Sequence, residues 1–393
     1  MQFTIKAASV YYHARCLLQD HLGLTDFSRT CTAAHLLAVV FAATARLTSL
    51  FAAGLRLAGA PCAETLRQAL LASLTTLREL EERLNDALAA HLPRRLRRRQ
   101  QRLAADLTLT PYHGRYHLDP REIVRGQAKS GTTHFHAYAT LYLVFRGQRF
   151  TVAMIAVQQG DPLKDILRRL LRRATAAGVK PALLLLDRGF YSVDVIRYLQ
   201  AARYPFLMPL ICRGRKAEHP KGPGGSRIYQ YWKRSGWDRY TLREEGGRSA
   251  TVSVGVHVRN RRGRRQKHGR ERLVYAFWGI KPKSVAWLSE TYRARFGIES
   301  SYRQLREAKA KTCSRSPEVR LFLVGVALVL RNVWVWLHYA LLSTPRRGGR
   351  LFNEGRLRFK AMLLMLLHEA ENLFGITDEI ICERSMWEAL DAD

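Results

Sequence analysis

Apolar residues recur at helical spacing across residues 1–92, in runs such as AAHLLAVVFAATARL and LRQALLASLTTLRELEERLNDALAAHL, which predicts a helical first region. Within it, Thr48–Ser73 has the form helix, Gly-Ala-Pro turn, helix: Gly59 stops the first helix and Pro61 suits the opening of the second. From Leu103 the period changes to two. In LAADLTLTPYHG, Asp106, Thr108 and Thr110 share one strand face, and Ala105, Leu107 and Leu109 share the other. Two more strands follow, HFHAYATLYLVF and RFTVAMIAVQQ, with Arg146, Gly147 and Gln148 as the turn between them. GDPLKDILRRLLRRATAAG is then an amphipathic helix, with Asp161 as N-cap and Pro162 as its first residue. PALLLLDRGF reads as a strand buried on both faces that ends at Asp187, Arg188 and Gly189. A helix, SVDVIRYLQAA, and a fifth strand, PFLMPLIC, complete this region.

Three antiparallel-type strands, a helix, a buried parallel strand with a terminal Asp and another helix make the order of an α/β, ribonuclease-H-like core with a mixed sheet. In such a core the first and fourth strands are neighbours, which brings Asp106 and Asp187 together at the sheet edge where ligands are held. A Gly-rich segment of short strand-like pieces follows, and then the helix WLSETYRARFGIESSYRQLREAKAK. At about 100° per residue, Tyr292, Arg295, Glu299 and Arg306 share one face of that helix, with Arg303 beside them. A lone glutamate among cations is also what a solvated ion-pair face looks like.

Lys and Arg number 65 against 32 Asp and Glu, a net +33, and a polyanionic partner is the simplest reason to keep so much like charge on one chain. Nucleic acid is the first such partner and an anionic membrane surface the second. HLPRRLRRRQQR is a hinge or a phosphate-tracking segment. From Arg213 to Arg272, 18 Lys or Arg face 5 Asp or Glu and are interleaved with Tyr and Trp, which suits a nucleic-acid surface or the core of a small β domain. A helix-turn-helix at 48–73 would present Glu64, Arg67 and Gln68. The six cysteines are scattered with no C-x-x-C pair, which argues against structural zinc or a disulfide framework. No secretory signal opens the chain. LFLVGVALVLRNVWVWLHYALL is long enough to span a bilayer, but Arg331 and Asn332 at its middle predict a helix buried in protein instead.

The chemistry-bearing set is Asp106, Asp187 and Glu299. Oxygen ligands of this kind suit two Mg²⁺ ions, with Mn²⁺ as substitute, acting on a phosphodiester.

DLTLTPYHG, LLLLDRGFYS and YRARFGIESSYRQLR resemble the DDE transposases of insertion sequences of the insertion-sequence-four type. Tyr292, Arg295 and Glu299 match the family signature Y-x2-R-x3-E-x6-K in register, and Arg306 stands where the family has Lys. The resemblance implies a helical DNA-binding domain over 1–92, a basic linker at 93–102 and a ribonuclease-H-like core over 103–212. It further implies a β-rich basic insertion over 213–284, the remainder of the core with the Glu helix over 285–342, and a helical region from 343 to 393. It implies Tyr292 and Arg295 as phosphate contacts and one of Trp232, Trp237 and Trp278 stacking on a flipped base; the residues themselves suggest Arg303 and Arg306 on the same helix, Arg188 beside Asp187 and Arg67 of the helix-turn-helix as further DNA contacts. Double-stranded DNA, as element ends and target, is the implied partner, with a homodimer pairing two ends, no membrane, and a cytoplasmic, nucleoid-associated location in a prokaryote. A nuclease of the same fold without strand transfer and a catalytically inactive DNA-binding descendant are the alternatives.

Overall fold

A computed structural model describes residues 4–145, 148–244, 246–261, 269–346, 349–351 and 353–378; across 296–306 the helix is described and its side chains are not. Five helices come first: α1 (Ala7–Leu22), α2 (Ala33–Arg46), α3 (Leu50–Gly54), α4 (Ala63–Ser73) and α5 (Leu77–Ala90). A short α6 (Arg94–Arg98) leads into β1 (Gln100–Pro111), β2 (Val124–Lys129), β3 (Thr132–Phe145) and β4 (Gln148–Val157). Next are α7 (Leu163–Ala176), β5 (Lys180–Leu185), α8 (Val193–Ala201) and β6 (Phe206–Pro209). Three longer strands, β7 (Gly236–Arg243), β8 (Ser249–Arg261) and β9 (Gly269–Trp278), precede α9 (Val285–Arg306) and α10 (Pro317–Leu337). β10 (Thr344–Arg346), β11 (Gly349–Leu351) and α11 (Phe359–Phe374) follow. The chain divides into two compact units: Met1–Leu80 with Leu305–Leu330 and Asn353–Asp393, and Glu81–Gln304 with Arg331–Phe352.

The first unit is helical. Residues Leu36–Ala45 of α2 are all buried, and its small residues let α11 and α1 pack against it. Thr32 and His35 form a capping box that starts α2. The expected helix-turn-helix differs in detail: α3 ends at Gly54, five residues before Gly59, and Cys62 is the N-cap of α4. Gly59 serves close approach instead of helix termination. Its N–H donates to the Phe374 carbonyl at 2.8 Å, and an added Cβ would meet that oxygen at 3.1 Å.

The second unit is built on one mixed, nine-stranded sheet in the order β4-β3-β1-β5-β6-β9-β8-β7, with β2 pairing the far end of β3. β1 runs antiparallel to β3 and parallel to β5, and β5 is parallel to β6. This is the α/β core anticipated from the sequence, with the short β2 as an addition. The strands drawn from 213–284 do not form a sheet of their own: β9 pairs antiparallel with β6, which removes the open edge that β6 would otherwise present. The crossovers through α7 and α8 both step the same way along the sheet, and right-handed connections therefore place both helices on one face. α9 belongs to the other face, where Leu288 and Tyr292 join Ala104, Tyr142, Leu183, Leu185, Leu207 and Phe277 in a core that contains no residue of α7 or α8.

The free edge of β4 is closed by side chains. Asn85 of α5 exchanges two hydrogen bonds with the Met154 backbone at 2.8 and 2.9 Å, and Glu81 accepts from Ala156 N–H at 3.0 Å. Asn332 does the same for Thr151 at 2.9 and 2.8 Å, and Arg331 donates to the Arg149 carbonyl at 2.9 Å. The two polar residues in the middle of the membrane-length helix are thus an edge cap. The apolar stretch Pro317–Leu342 is long enough to cross a bilayer by length and composition, and 94% of its most apolar window is buried in protein. Asp161 is not the N-cap of α7; that position is Pro162, and the Asp161 carboxylate accepts from Gln158 N–H at 3.0 Å and pairs with Arg169.

Candidate active site

The parallel pairing of β1 and β5 sets Ala104 against Leu185. Carried two residues further, that register places Asp106 and Asp187 opposite one another on neighbouring strands, about 4.8 Å apart in the pairing direction. Both have the parity of Ala104, Leu183 and Leu185, so both project toward α9. Asp187 ends its strand as the N-cap of a 3₁₀ turn, Arg188–Phe190, and makes no side-chain cap bond, so that turn leaves its carboxylate available.

α9 reaches this point on a stripe of Leu288, Tyr292 and Arg295, spaced four and three residues apart and all buried. Tyr292 is 3% exposed, packs on the Tyr275 ring at 5.3 Å and donates its hydroxyl to the Leu186 carbonyl at 3.2 Å. Burial pushes its phenol above the ordinary range, so it remains a neutral donor. The residue expected to face DNA therefore anchors α9 to the exit of β5. Arg295, on the next turn, lies between the acids: its Nη2 is 3.1 Å from Asp106 Oδ1 and 3.4 Å from Asp187 Oδ1. Asp106 Oδ1 also accepts from Leu107 N–H at 2.9 Å. The Arg295 Nε–H is buried with no partner among the described residues.

Glu299 stands four residues beyond Arg295, about 6 Å further along the same side of α9. Its side chain, like those of Arg303 and Arg306, lies outside the described residues. Among the described residues no group of three or more His, Cys, Asp or Glu forms a metal cluster. The two acids that are described fit a hard divalent ion by donor chemistry: they are paired carboxylates of unequal exposure, with side chains 18% and 46% accessible, and a guanidinium stands where positive charge is required.

The other expected contacts separate. Arg188 is exposed beside Asp187. Arg67 is exposed on α4 and bonded to Glu64 at 2.8 Å, with Gln68 donating to the same carboxylate at 3.0 Å. Of the three tryptophans, Trp232 lies edge-on to Tyr229 at 5.5 Å and its carbonyl accepts from Arg272. Trp278 is half-buried opposite Phe206, and Trp237 is 47% exposed. Sequence reasoning missed two neighbours of Trp237: Arg239 and Arg243 lie on the same face of β7, and both are exposed. The signal was present in the alternation of WDRYTLR. Trp237 meets Phe277, a member of the α9-side core, so this strip lies on the face that carries the acids.

The sequence profile described as "Transposase DDE domain" matches residues 97–331, which contain all three acids and the whole sheet. The chain belongs to the transposase DDE domain family. Membership makes it a nucleic-acid-processing enzyme by class. No curated protein matches the sequence. The fold is similar to that of a piggyBac transposase solved by cryo-electron microscopy as a synaptic complex with hairpin DNA. That match has a TM-score of 0.57 at 8% identity and covers 99% of this chain and 85% of that one. The catalytic domain of human endonuclease V aligns at 16% identity over 66% of this chain and 92% of its own, with a TM-score of 0.24. The piggyBac likeness extends to the ribonuclease-H-like core, so this DDE family member has the fold its strand order predicted.

Proposed function

We propose that the chain is an insertion-sequence transposase of the insertion-sequence-four type, which cuts at element ends and transfers the resulting 3′-hydroxyls to target DNA or to the opposite strand as a hairpin. The observation that carries this is the convergence of Asp106 and Asp187, bridged by Arg295 on the helix that bears Glu299. Asp106, Asp187 and Glu299 would hold two Mg²⁺ ions, or Mn²⁺ in their place, which would supply activation of the attacking oxygen and stabilisation of the leaving one. The chain's own groups position the substrate. Tyr292 fixes the height of α9 over β5, and Arg295 presents an Nε–H with no partner among the described residues, which suits a phosphate oxygen. Arg303 and Arg306, later in the sequence of the same helix, and exposed Arg188 would add phosphate contacts. Trp237, flanked by Arg239 and Arg243, is the ring best exposed to stack on an unpaired base.

Duplex DNA as partner is supported by the +33 charge, by family membership and by the similar transposase having been captured on DNA. Pairing of two element ends by a homodimer completes the reading. The test is incubation of the full chain with a pre-cut element end and a supercoiled plasmid, with and without Mg²⁺. Metal-dependent joined product is expected. Nicked plasmid without joined product would replace this reading with that of a nuclease.

A further inference from the structure

The helix-covered face of the sheet, away from the carboxylates, carries cations that the chemistry above does not use. On α7, Lys164, Arg168 and Arg172 recur every fourth residue and so form one stripe. Tyr198 of α8, half-buried, lies within electrostatic reach of Arg168 and Arg172, which joins that stripe to α8. Arg197 is exposed on α8, and Arg203 is exposed just past its end in a left-handed conformation, φ 54°. The β7–β8 turn adds Arg248.

Among the described residues, three nearby acids each face an arginine. Asp165 pairs with Arg168 at 3.2 Å, and Arg248 pairs with Asp194 at 2.8 Å and Glu244 at 3.5 Å. Arg172, Arg197 and Arg203 have no ion-pair partner among the described residues. Beside them is an open cleft of about 580 Å³ lined by Arg197, Gln200, Gly246, Gly247, Arg248 and Ser249. Gly246 and Gly247, at φ 86° and 81°, make the turn that leaves this cleft without side-chain bulk.

We propose that the α7–α8 face and its cleft form a second binding surface for the phosphate backbone of duplex DNA, separate from the duplex engaged by the α9 face. Exposed arginines without acid partners are what backbone recognition requires, since each neutralised phosphate releases counterions without any base being read. A segment held here runs on the opposite side of the sheet from the cutting site, so one chain handles two stretches of duplex. The surface rests on reading the chain as a DNA-handling protein and is independent of the carboxylate chemistry.

The test counts short duplexes bound per full-length chain by fluorescence anisotropy across a salt series, for the parent, for the triple variant R172A/R197A/R203A and for R172K/R197K/R203K. The alanine variant is expected to bind one duplex fewer, with the summed salt slope lower by about 2–3, at roughly 0.9 per lost contact. The lysine variant is expected to keep the parent's count, and equal melting curves show that folding is intact. An unchanged count and slope in the alanine variant would overturn the proposal. So would poly-glutamate displacing DNA from this surface at equal charge concentration, because an acidic protein would then be the fitting partner. Loss of metal-dependent cleavage in a preparation that still shows the one-duplex difference would refute the transposase reading and leave this surface standing.

Discussion

Replacing Arg295 by Gln tests how the acid pair is held before any metal arrives. The guanidinium is 8% exposed and sits 3.1 Å from Asp106 and 3.4 Å from Asp187, whose side chains are 18% and 46% exposed. At an effective dielectric of about 20, each contact has a gross attraction of roughly 5 kcal/mol, of which only a fraction survives desolvation. Breaking a buried pair by removing one partner costs about 3–5 kcal/mol. The contact to half-exposed Asp187 adds at most about 1 kcal/mol, because solvent screens it. A loss of about 3 kcal/mol is therefore expected, visible as a fall of several degrees in Tm. Adding Mg²⁺ should restore more stability to the variant than to the parent, because in the parent a divalent ion must compete with a cation already in place. Titration of Mg²⁺ by thermal shift and calorimetry should give about ten-fold tighter binding in R295Q, a difference of about 1.4 kcal/mol. Equal melting and equal Mg²⁺ affinity in the two proteins would refute the view that Arg295 balances the carboxylates.

Asn332→Leu keeps bulk but strips both caps from Thr151 and the bond to the Leu88 carbonyl, so buried backbone groups lose their partners. A loss of about 2–5 kcal/mol in chemical denaturation is expected, and a neutral result would show that the β4 edge is closed by other means. Trp237→Ala should lower affinity for DNA with an unpaired base at the cut by about 1–3 kcal/mol while leaving fully paired duplex bound as before; equal losses on both probes would make the ring structural. Burial pushes the Glu81 carboxyl above its ordinary range despite Arg169 at 2.8 Å. Its folded value is raised, so its contribution is full below the ordinary carboxylate range and lost as pH rises through the raised value. Glu81→Gln should therefore gain on the parent in Tm as pH goes from about 4 to about 7, whereas a parent that gains on the variant would mean the ion pairs outweigh burial.

The acid pair was legible because its signals are local. Two-residue alternation through LAADLTLT and an apolar run stopping at Asp187 fix both strands, and neighbouring parallel strands fix the rest. The inward turn of Tyr292 and Arg295 was not legible: spacing puts them on one helix face but says nothing of whether that face meets solvent or a sheet. The pairing of β6 with β9 joins residues near 208 to residues near 276, and no local pattern encodes so distant a contact. Arg331 and Asn332 showed only that the apolar helix is costly in lipid. Their use, as substitutes for a missing strand beside β4, depends on a backbone edge that exists only in the fold.

The proposed chemistry requires Asp106, Asp187 and Glu299 to hold shared divalent ions. Fe²⁺ substituted for Mg²⁺, with ascorbate and peroxide, cuts polypeptide next to the site where it binds, and the fragments can be mapped by mass spectrometry. Cuts are expected to cluster at the end of β1, after β5 and on α9 near Glu299, with all three lost together in Asp187→Asn. Cuts at one of these places alone, or cuts that persist in that variant, would contradict a shared site.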